Sequence, residues 1–440
     1  MRYVLLTCIL LMQMIQMRAM NDMKKLEHLY KQLEVSPQMQ QSSYWAAQWP
    51  DADGVIMTSE QIQQFNRYNI DTSITMTNIF DIAPTISSLE LQELISQTAA
   101  APTSQRYFAT GNPIEAADIQ RYTQLMQVPT DQAIPLHYGI TVQRSYMRTF
   151  PTDEGAFRKN GDFDYFMETA VYLCEPLLIY HTSVDGRWYY AAMYNYRGWI
   201  PAHHVALTTR DALQEYLTLP EYRVVITPRY YLQRGTTLLQ ADMGVRIPCQ
   251  NAANTTVELL LPVRDARGKL AITPTQVPDS DKLSPHYLAY SRANLLSQAF
   301  RFQGEIYGWG GMHGTRDCSG LIMDIYRSMG LQLPRNASHQ AESAAGVYYP
   351  MGEHLDAAER TRLLAALPGP MPVYLRGHTM LYLGMHNGAP WILHDFSAFR
   401  AAPDGPLIDA RITAVTPLNI FRSSGITYLK ELYGARDFRF

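Results

Sequence analysis

The spacing of apolar positions changes repeatedly along this chain, and each change predicts a different kind of structure. From about residue 20 to 130 the pattern is helical and irregular. Thr58-Ser59-Glu60-Gln61 makes a capping box ahead of Ile62 and Phe65, and Leu89 to Ile95 reads as a second short helix. From about 131 to 207 the texture turns to short strands: Gly139 to Val142, Pro176 to Tyr180, Trp188 to Ala191 and Tyr196 to Pro201, with Asp185-Gly186 as a hairpin turn. About five strands at this spacing argue for a small barrel. Residues 208 to 283 read as a second barrel, with strands at Tyr222 to Thr227, Thr236 to Leu239, Arg246 to Cys249 and Val257 to Val263. Ser291 then opens a helix through Phe300 that Gly304 ends, and Leu321, Ile322, Ile325, Tyr326 and Met329 recur at helical spacing until Gly330.

The last of these helices carries the chemistry. Tyr307-Gly308-Trp309-Gly310-Gly311 forms a glycine-rich loop, and Asp317-Cys318-Ser319-Gly320 places Cys318 in the first helical turn. Orphan backbone N–H groups and the positive end of the helix dipole favour a thiolate there, although a free cysteine is commonly a buried apolar residue. Two histidines stand where a base and its orienter are needed. His378 begins a strand, Ala389 to Phe396 reads as the next strand with His394 on it, and Asn387-Gly388 between them is a hairpin signal. A cysteine nucleophile needs a base within reach and a third group that fixes the base's tautomer. With a two-residue turn, however, His394 pairs opposite Leu381 and faces the other side of the sheet from His378. An odd-length loop or a bulge would bring the imidazoles together; without one, Asp395 is the rival orienter.

These residues resemble the NlpC-type family of papain-like cysteine peptidases, which cleave cell-wall peptides. The resemblance rests on Tyr-x-Trp-Gly-Gly at 307 to 311, Asp-Cys-Ser-Gly-Leu at 317 to 321, Leu333-Pro334-Arg335, Gly377-His378 and His394. It implies Cys318 as nucleophile, His378 as general base, His394 as third member, and an oxyanion site made by the Cys318 N–H with Tyr307. It further places Ser338, with Gln340, near the pocket, while Ser319 reads as either first-turn filler or a pocket hydrogen-bond donor. Asp317 could hold an ammonium group, although a helix N-cap carboxylate accounts for it equally. Ser183-x-Asp185-Gly186-x-Trp188 and Gly198-Trp199-Ile200-Pro201 resemble the bacterial SH3-like modules that precede such catalytic domains. Family members with two such modules cut the γ-D-Glu to diamino acid bond of stem peptides with a free N-terminal L-Ala. No cofactor is implied. The fold class expected is multidomain α+β, with a papain-like NlpC-type catalytic domain preceded by two small SH3-like β-barrels and an N-terminal mainly helical module. The expected segments are 1–19 (signal peptide), 20–130 (helical), 131–207 and 208–283 (barrels) and 284–440 (peptidase). The alternatives are a non-catalytic wall-binding protein and a papain-like amidase or acyltransferase on another acyl group.

Composition narrows this further. The 37 basic and 40 acidic residues nearly balance and form no basic run, which argues against a nucleic-acid partner. Met1-Arg2, the apolar stretch Tyr3 to Met12 and a small residue at Ala19 follow signal-peptide grammar and predict an exported, periplasmic or envelope protein without a transmembrane segment. Losing Cys8 would leave Cys174, Cys249 and Cys318; the first two are expected to be buried and unbridged. His203-His204 lacks further ligands at metal spacing, so no metal is expected, and His313, His339, His354 and His386 are expected at the surface.

Overall fold

The computed structural model describes residues 22–130, 133–252 and 255–440; the expected signal peptide, with Cys8, lies outside the described residues. The chain forms two compact units. One comprises residues 22–73, Tyr287–Gly308 and His313–Phe440, and the other Ile74–His286 together with Trp309–Met312.

The first unit is built on a six-stranded antiparallel sheet in the order Val347–Pro350, Leu432–Asp437, Met371–Leu375, His378–His386, Ala389–Phe399, Ile408–Pro417. Its helix Cys318–Arg327 packs against the strand His378–His386 and the helix Arg292–Phe300, and residues Cys318 to Tyr326 are all buried. Its one buried charge, Asp324, is paired with Arg316, which lets the whole helix lie in the interior. The helix Ser59–Thr72 begins at the anticipated capping box on Thr58, and buries Ile62, Phe65 and Asn69. Its Asn66 and Asn69 amides each donate at 2.8 Å, to the carbonyls of Gly330 and Gln332. Those bonds satisfy the turn that follows the Cys318 helix, which would otherwise carry unpaired backbone groups.

In the second unit a seven-stranded antiparallel sheet runs Met167–Val171, Ser145–Arg148, Tyr196–Pro201, Trp188–Met193, Pro176–Thr182, His137–Thr141, Val205–Thr208. Its central strands are buried on both faces. Leu178, Tyr180, Trp188, Tyr190 and Ala192 enter one core, while Leu177, Ile179, Tyr189, Ala191 and Met193 enter another. The two-residue period of a strand makes that division automatic, and burial of both faces explains why these strands read as continuous apolar runs. Leu91, Ile95 and Tyr122, from the helices Ser88–Thr98 and Ala116–Leu125, complete the first core. A five-stranded sheet follows in the order Leu270–Pro278, Thr256–Arg264, Arg246–Gln250, Tyr222–Val225, Leu283–Ser284, with the hairpin Arg229–Arg234 and Thr237–Asp242 beside it in sequence. Sequence patterning missed Leu270–Pro278, most of which is exposed, because an edge strand with no buried face shows no alternation. Cys174 and Cys249 are buried, and among the described residues neither forms a disulfide.

Candidate active site

Asp317 is the N-cap of the helix Cys318–Arg327. Its Oδ1 accepts from the Gly320 N–H at 2.9 Å and the Ser319 hydroxyl at 3.3 Å, and its Oδ2 accepts from Arg335 Nη2 at 2.6 Å. Arg335 also donates to Ser319 Oγ at 2.8 Å, so the turn that presents Cys318 is held by a buried ion pair. Cys318 is 8% exposed, and its Sγ accepts from the backbone N–H of Thr379, next to His378 on the neighbouring strand.

His378 begins its strand because the turn Arg376-Gly377, with Gly377 at φ 76°, folds the chain straight back and pairs Leu375 with His378. The hairpin to the next strand turns at Asn387 and Gly388, both at positive φ. From there His386 pairs with Ala389, but Leu381 pairs with Leu393: the register shifts by one residue between Tyr382 and Gly384. This is the irregularity that simple alternation lacked. The continued register sets His394 two positions from His378 on the same face, and His378 Nε2 meets His394 Nδ1 at 3.0 Å. The bulge is supported from the N-terminal segment. Trp49 Nε1 donates to the Leu383 carbonyl at 2.9 Å, and Gly384 adopts φ 143°, where an added Cβ would stand 2.8 Å from Gln48 Oε1. On its far side His394 Nε2 lies 3.0 Å from Thr416 Oγ1, and its ring stacks on Phe396 with centroids 4.0 Å apart.

Burial dominates the electrostatics. It pushes the Cys318 thiol up to about 12, reinforced by the negative charge of Asp317, and outweighs the pull of the helix terminus that the sequence reading favoured. The same exclusion of water pushes His378 down to about 3, with Arg422 adding to the shift, and holds His394 well below the usual histidine range. The resting pair is therefore a neutral thiol beside a neutral imidazole couple. Burial, then the nearby Cys318 and Asp317, hold the Tyr307 phenol well up, so it remains a hydrogen-bond donor. Asp395 faces away from His394 by strand alternation, and burial together with Glu305 and Asp317 raises its carboxyl well above the usual range. Beneath the helix, Arg316 is 1% exposed and bridges Glu305 at 2.7 Å and Asp324 at 2.5 Å.

The structure thus brings Cys318, His378, His394, Asp317 and Ser319 together around the helix terminus, with Tyr307 close enough for its phenol to feel Cys318 and Asp317. Ser338 is exposed in the first turn of the helix Ala337–Glu342, whereas Gln340 of that helix is buried and donates to the carbonyls of Ser319 at 3.2 Å and Pro334 at 2.9 Å. His339 and His386 are half-buried rather than at the surface; His386 Nδ1 meets the Tyr44 hydroxyl at 2.6 Å, because the bulged hairpin is packed against the N-terminal segment. Sequence reasoning missed Thr416 and Tyr428, which reach the histidines from strands and turns beyond the motifs. Among the described residues no three His, Cys, Asp or Glu side chains are grouped to hold a metal.

Residues 304–397 match the NlpC/P60 family, and residues 155–201 match the SH3 domain of SH3b1 type. The chain therefore carries an SH3b domain followed by a C-terminal NlpC/P60 domain, the latter from a family of cysteine peptidases and amidases that act on peptidoglycan peptides. It is similar in fold to an NlpC/P60 endopeptidase from Photobacterium damselae subsp. piscicida, with a TM-score of 0.70 at 19% identity over 89% of this chain and 96% of that one. An NlpC/P60 family protein from Bacillus cereus ATCC 10987 matches at 20% identity over 62% of this chain and 82% of its own, with a TM-score of 0.41. No curated protein matches the chain.

Proposed function

We propose that the protein is an exported cysteine peptidase that hydrolyses the γ-D-Glu to diamino acid bond of peptidoglycan stem peptides, preferring those with a free N-terminal L-Ala. The observation that carries the reading is the chain of 3.0 Å contacts from His378 to His394 to Thr416, with Cys318 against Thr379, the residue next to His378. His378 Nε2 faces His394, which leaves Nδ1 for the thiol. In that tautomer His378 Nε2–H donates to His394 Nδ1, and His394 Nε2–H donates to Thr416, so each ring is oriented by the next.

In the first half-reaction the Cys318 proton passes to His378 as Sγ attacks the γ-glutamyl carbonyl. The Cys318 N–H and the Tyr307 hydroxyl hold the oxyanion. Collapse breaks the C–N bond, His378 protonates the departing amine, and a thioester remains. Water then gives a proton to His378 and attacks the thioester, and the thiol leaves with that proton restored. The neutral resting state suits this order, since burial opposes charge on either partner until substrate arrives.

The substrate's amine is assigned to Asp317. Both of its oxygens already accept hydrogen bonds, but a carboxylate oxygen has a further lone pair, and the Arg335 pair holds the carboxylate in place. Ser319 and Ser338 complete the proposed contacts. Residues 131–207 and 208–283 serve in this reading as two SH3-like modules, after a helical segment 20–130 and before a peptidase domain 284–440. Among the described residues no helix is long and apolar enough to cross a membrane.

The test is cleavage of L-Ala-γ-D-Glu-meso-diaminopimelate by the purified protein, with and without N-acetylation of the alanine, followed by mass. Cleavage of the free-amine peptide alone, lost in Cys318→Ala, is expected. Cleavage of both peptides would overturn the Asp317 assignment, and cleavage of neither would overturn the substrate.

A further inference from the structure

The segment after the last matched residue closes back over the two histidines. Phe421 and Arg400 exchange backbone hydrogen bonds at 2.8 and 3.0 Å, the Tyr428 N–H donates to the Ile420 carbonyl at 3.0 Å, and the Leu429 N–H donates to Leu418 at 2.8 Å. Arg422 pairs with Glu431, which also accepts from Ser424 Oγ at 3.1 Å. This framework fixes the short helix Tyr428–Glu431, and Tyr428 is 4% exposed. Its ring stands edge-to-face with both imidazoles, with centroids 5.4 Å from His394 at 89° and 6.0 Å from His378 at 69°. The two imidazoles are themselves inclined at 61°. Phe396 stacks on a face of His394, with the two planes 6° apart. His394 is thus in contact with two aromatic rings, and His378 with one of them. Edge-to-face contacts have a directional preference, so the ring restricts rotation of each imidazole as well as excluding water.

We propose that Tyr428 is a positioning residue whose ring clamps His378 and His394 in the mutual orientation of the relay and keeps water from them. The proposal rests on the reading of these histidines as base and orienter. The aromatic ring is the active part. The hydroxyl is only weakly engaged, at 3.4 Å from the Ala398 carbonyl, and Phe in its place should serve. The charged and titratable groups around the pair are the Cys318 thiol and Asp317 on the nucleophile helix, and Arg422 with its partner Glu431 on the closing segment. With Tyr428 gone, water screens Arg422 and solvates an imidazolium, so His378 should take up its proton at higher pH.

The test is histidine NMR of the full chain, with His378 and His394 assigned through single His→Gln variants. It compares the parent with Tyr428→Phe and Tyr428→Leu, and Cys318 alkylation by iodoacetamide is followed by peptide mass across pH. We expect Tyr428→Phe to titrate like the parent, and Tyr428→Leu to raise the His378 midpoint by about one unit or more. Alkylation of Cys318 near pH 6 should then be several-fold faster in the Leu variant, because a thiolate can pair with the imidazolium. An unshifted Leu variant overturns the proposal, and so does a Phe variant shifted as far as Leu. If the Leu variant fails to fold by circular dichroism, hydrogen exchange at the imidazole C2 position in the parent decides. Exchange at His378 and His394 slower than at the exposed His354 by about tenfold or more supports the clamp, and equal rates overturn it. None of these readouts needs peptide cleavage, so failure of the substrate reading stays distinct from failure of the clamp.

Discussion

The interior of the first unit holds Arg316 between Glu305 and Asp324, Asp317 against Arg335, and the His378 and His394 couple. The main core of the second unit holds Tyr122, Phe150, Phe166, Tyr190 and Trp199 in ring contacts, beside the buried Arg148 to Asp164 pair. Both interiors are closely packed, but they fail in different ways. Taking charge out of water is costly, and a buried ion pair returns that cost only while both partners remain. Rings return their full burial whatever the pH, and lose it when volume is removed. The unit that carries the proposed chemistry accordingly depends on protonation at its centre, through the His378 and His394 couple, whereas the ring core of the second unit does not.

The largest effects should fall on each unit's own currency. Arg316→Met leaves Glu305 and Asp324 buried without their cation and should destabilise the first unit by about 3–5 kcal/mol. Trp199→Ala empties the ring core and should cost the second unit about 3–5 kcal/mol. Peptide-resolved hydrogen exchange localises each loss; the comparison breaks if Arg316→Met is tolerated or if its damage appears in the strands around Trp199.

Acid should separate the units next. The unfolded chain protonates its histidines near pH 6.5, whereas His378 in the folded state resists until about 3, so the unfolded state binds more protons between those values. Stability of the first unit should therefore fall as pH drops below about 6.5, by up to about 2 kcal/mol for each buried histidine at pH 5. His394→Gln should flatten that dependence. In the second unit His204, pushed down to about 4 by burial and by His203, and His181, lowered by burial, act in the same direction, so the comparison rests on whether His394→Gln flattens the loss in the first unit alone.

A smaller effect is expected at the bulge. Gly384→Ala places a Cβ in a left-handed conformation and against Gln48, which should cost about 1–2 kcal/mol. Because the shift between Tyr382 and Gly384 is what aligns the histidines, peptide turnover should fall more than the stability loss alone accounts for. Equal loss of both would make the bulge merely structural.

Much of this molecule was legible in one dimension. Local rules act over a few residues, so the capping box at Thr58, the N-cap at Asp317, the Asn387-Gly388 turn and the helix from Cys318 could be read where they stand. The motif residues likewise pointed to a cysteine with two histidines and to SH3-like strands ahead of them. Tertiary packing decided the rest. Whether His394 or Asp395 shared a face with His378 depended on one extra residue in a strand, held by Trp49 from more than three hundred positions away. The state of Cys318 depended on how completely water is excluded, which reversed the direction suggested by its helix terminus. Thr416 and Tyr428 joined the site through pairings distant in sequence, and Arg335, which the motif named, gained its role only through its pair with Asp317; no periodicity marks such partners. Sequence determined which groups stand at the ends of which elements, because those choices are settled by neighbouring residues. Register, burial and long-range contacts determined what those groups face, because each is a property of several elements at once.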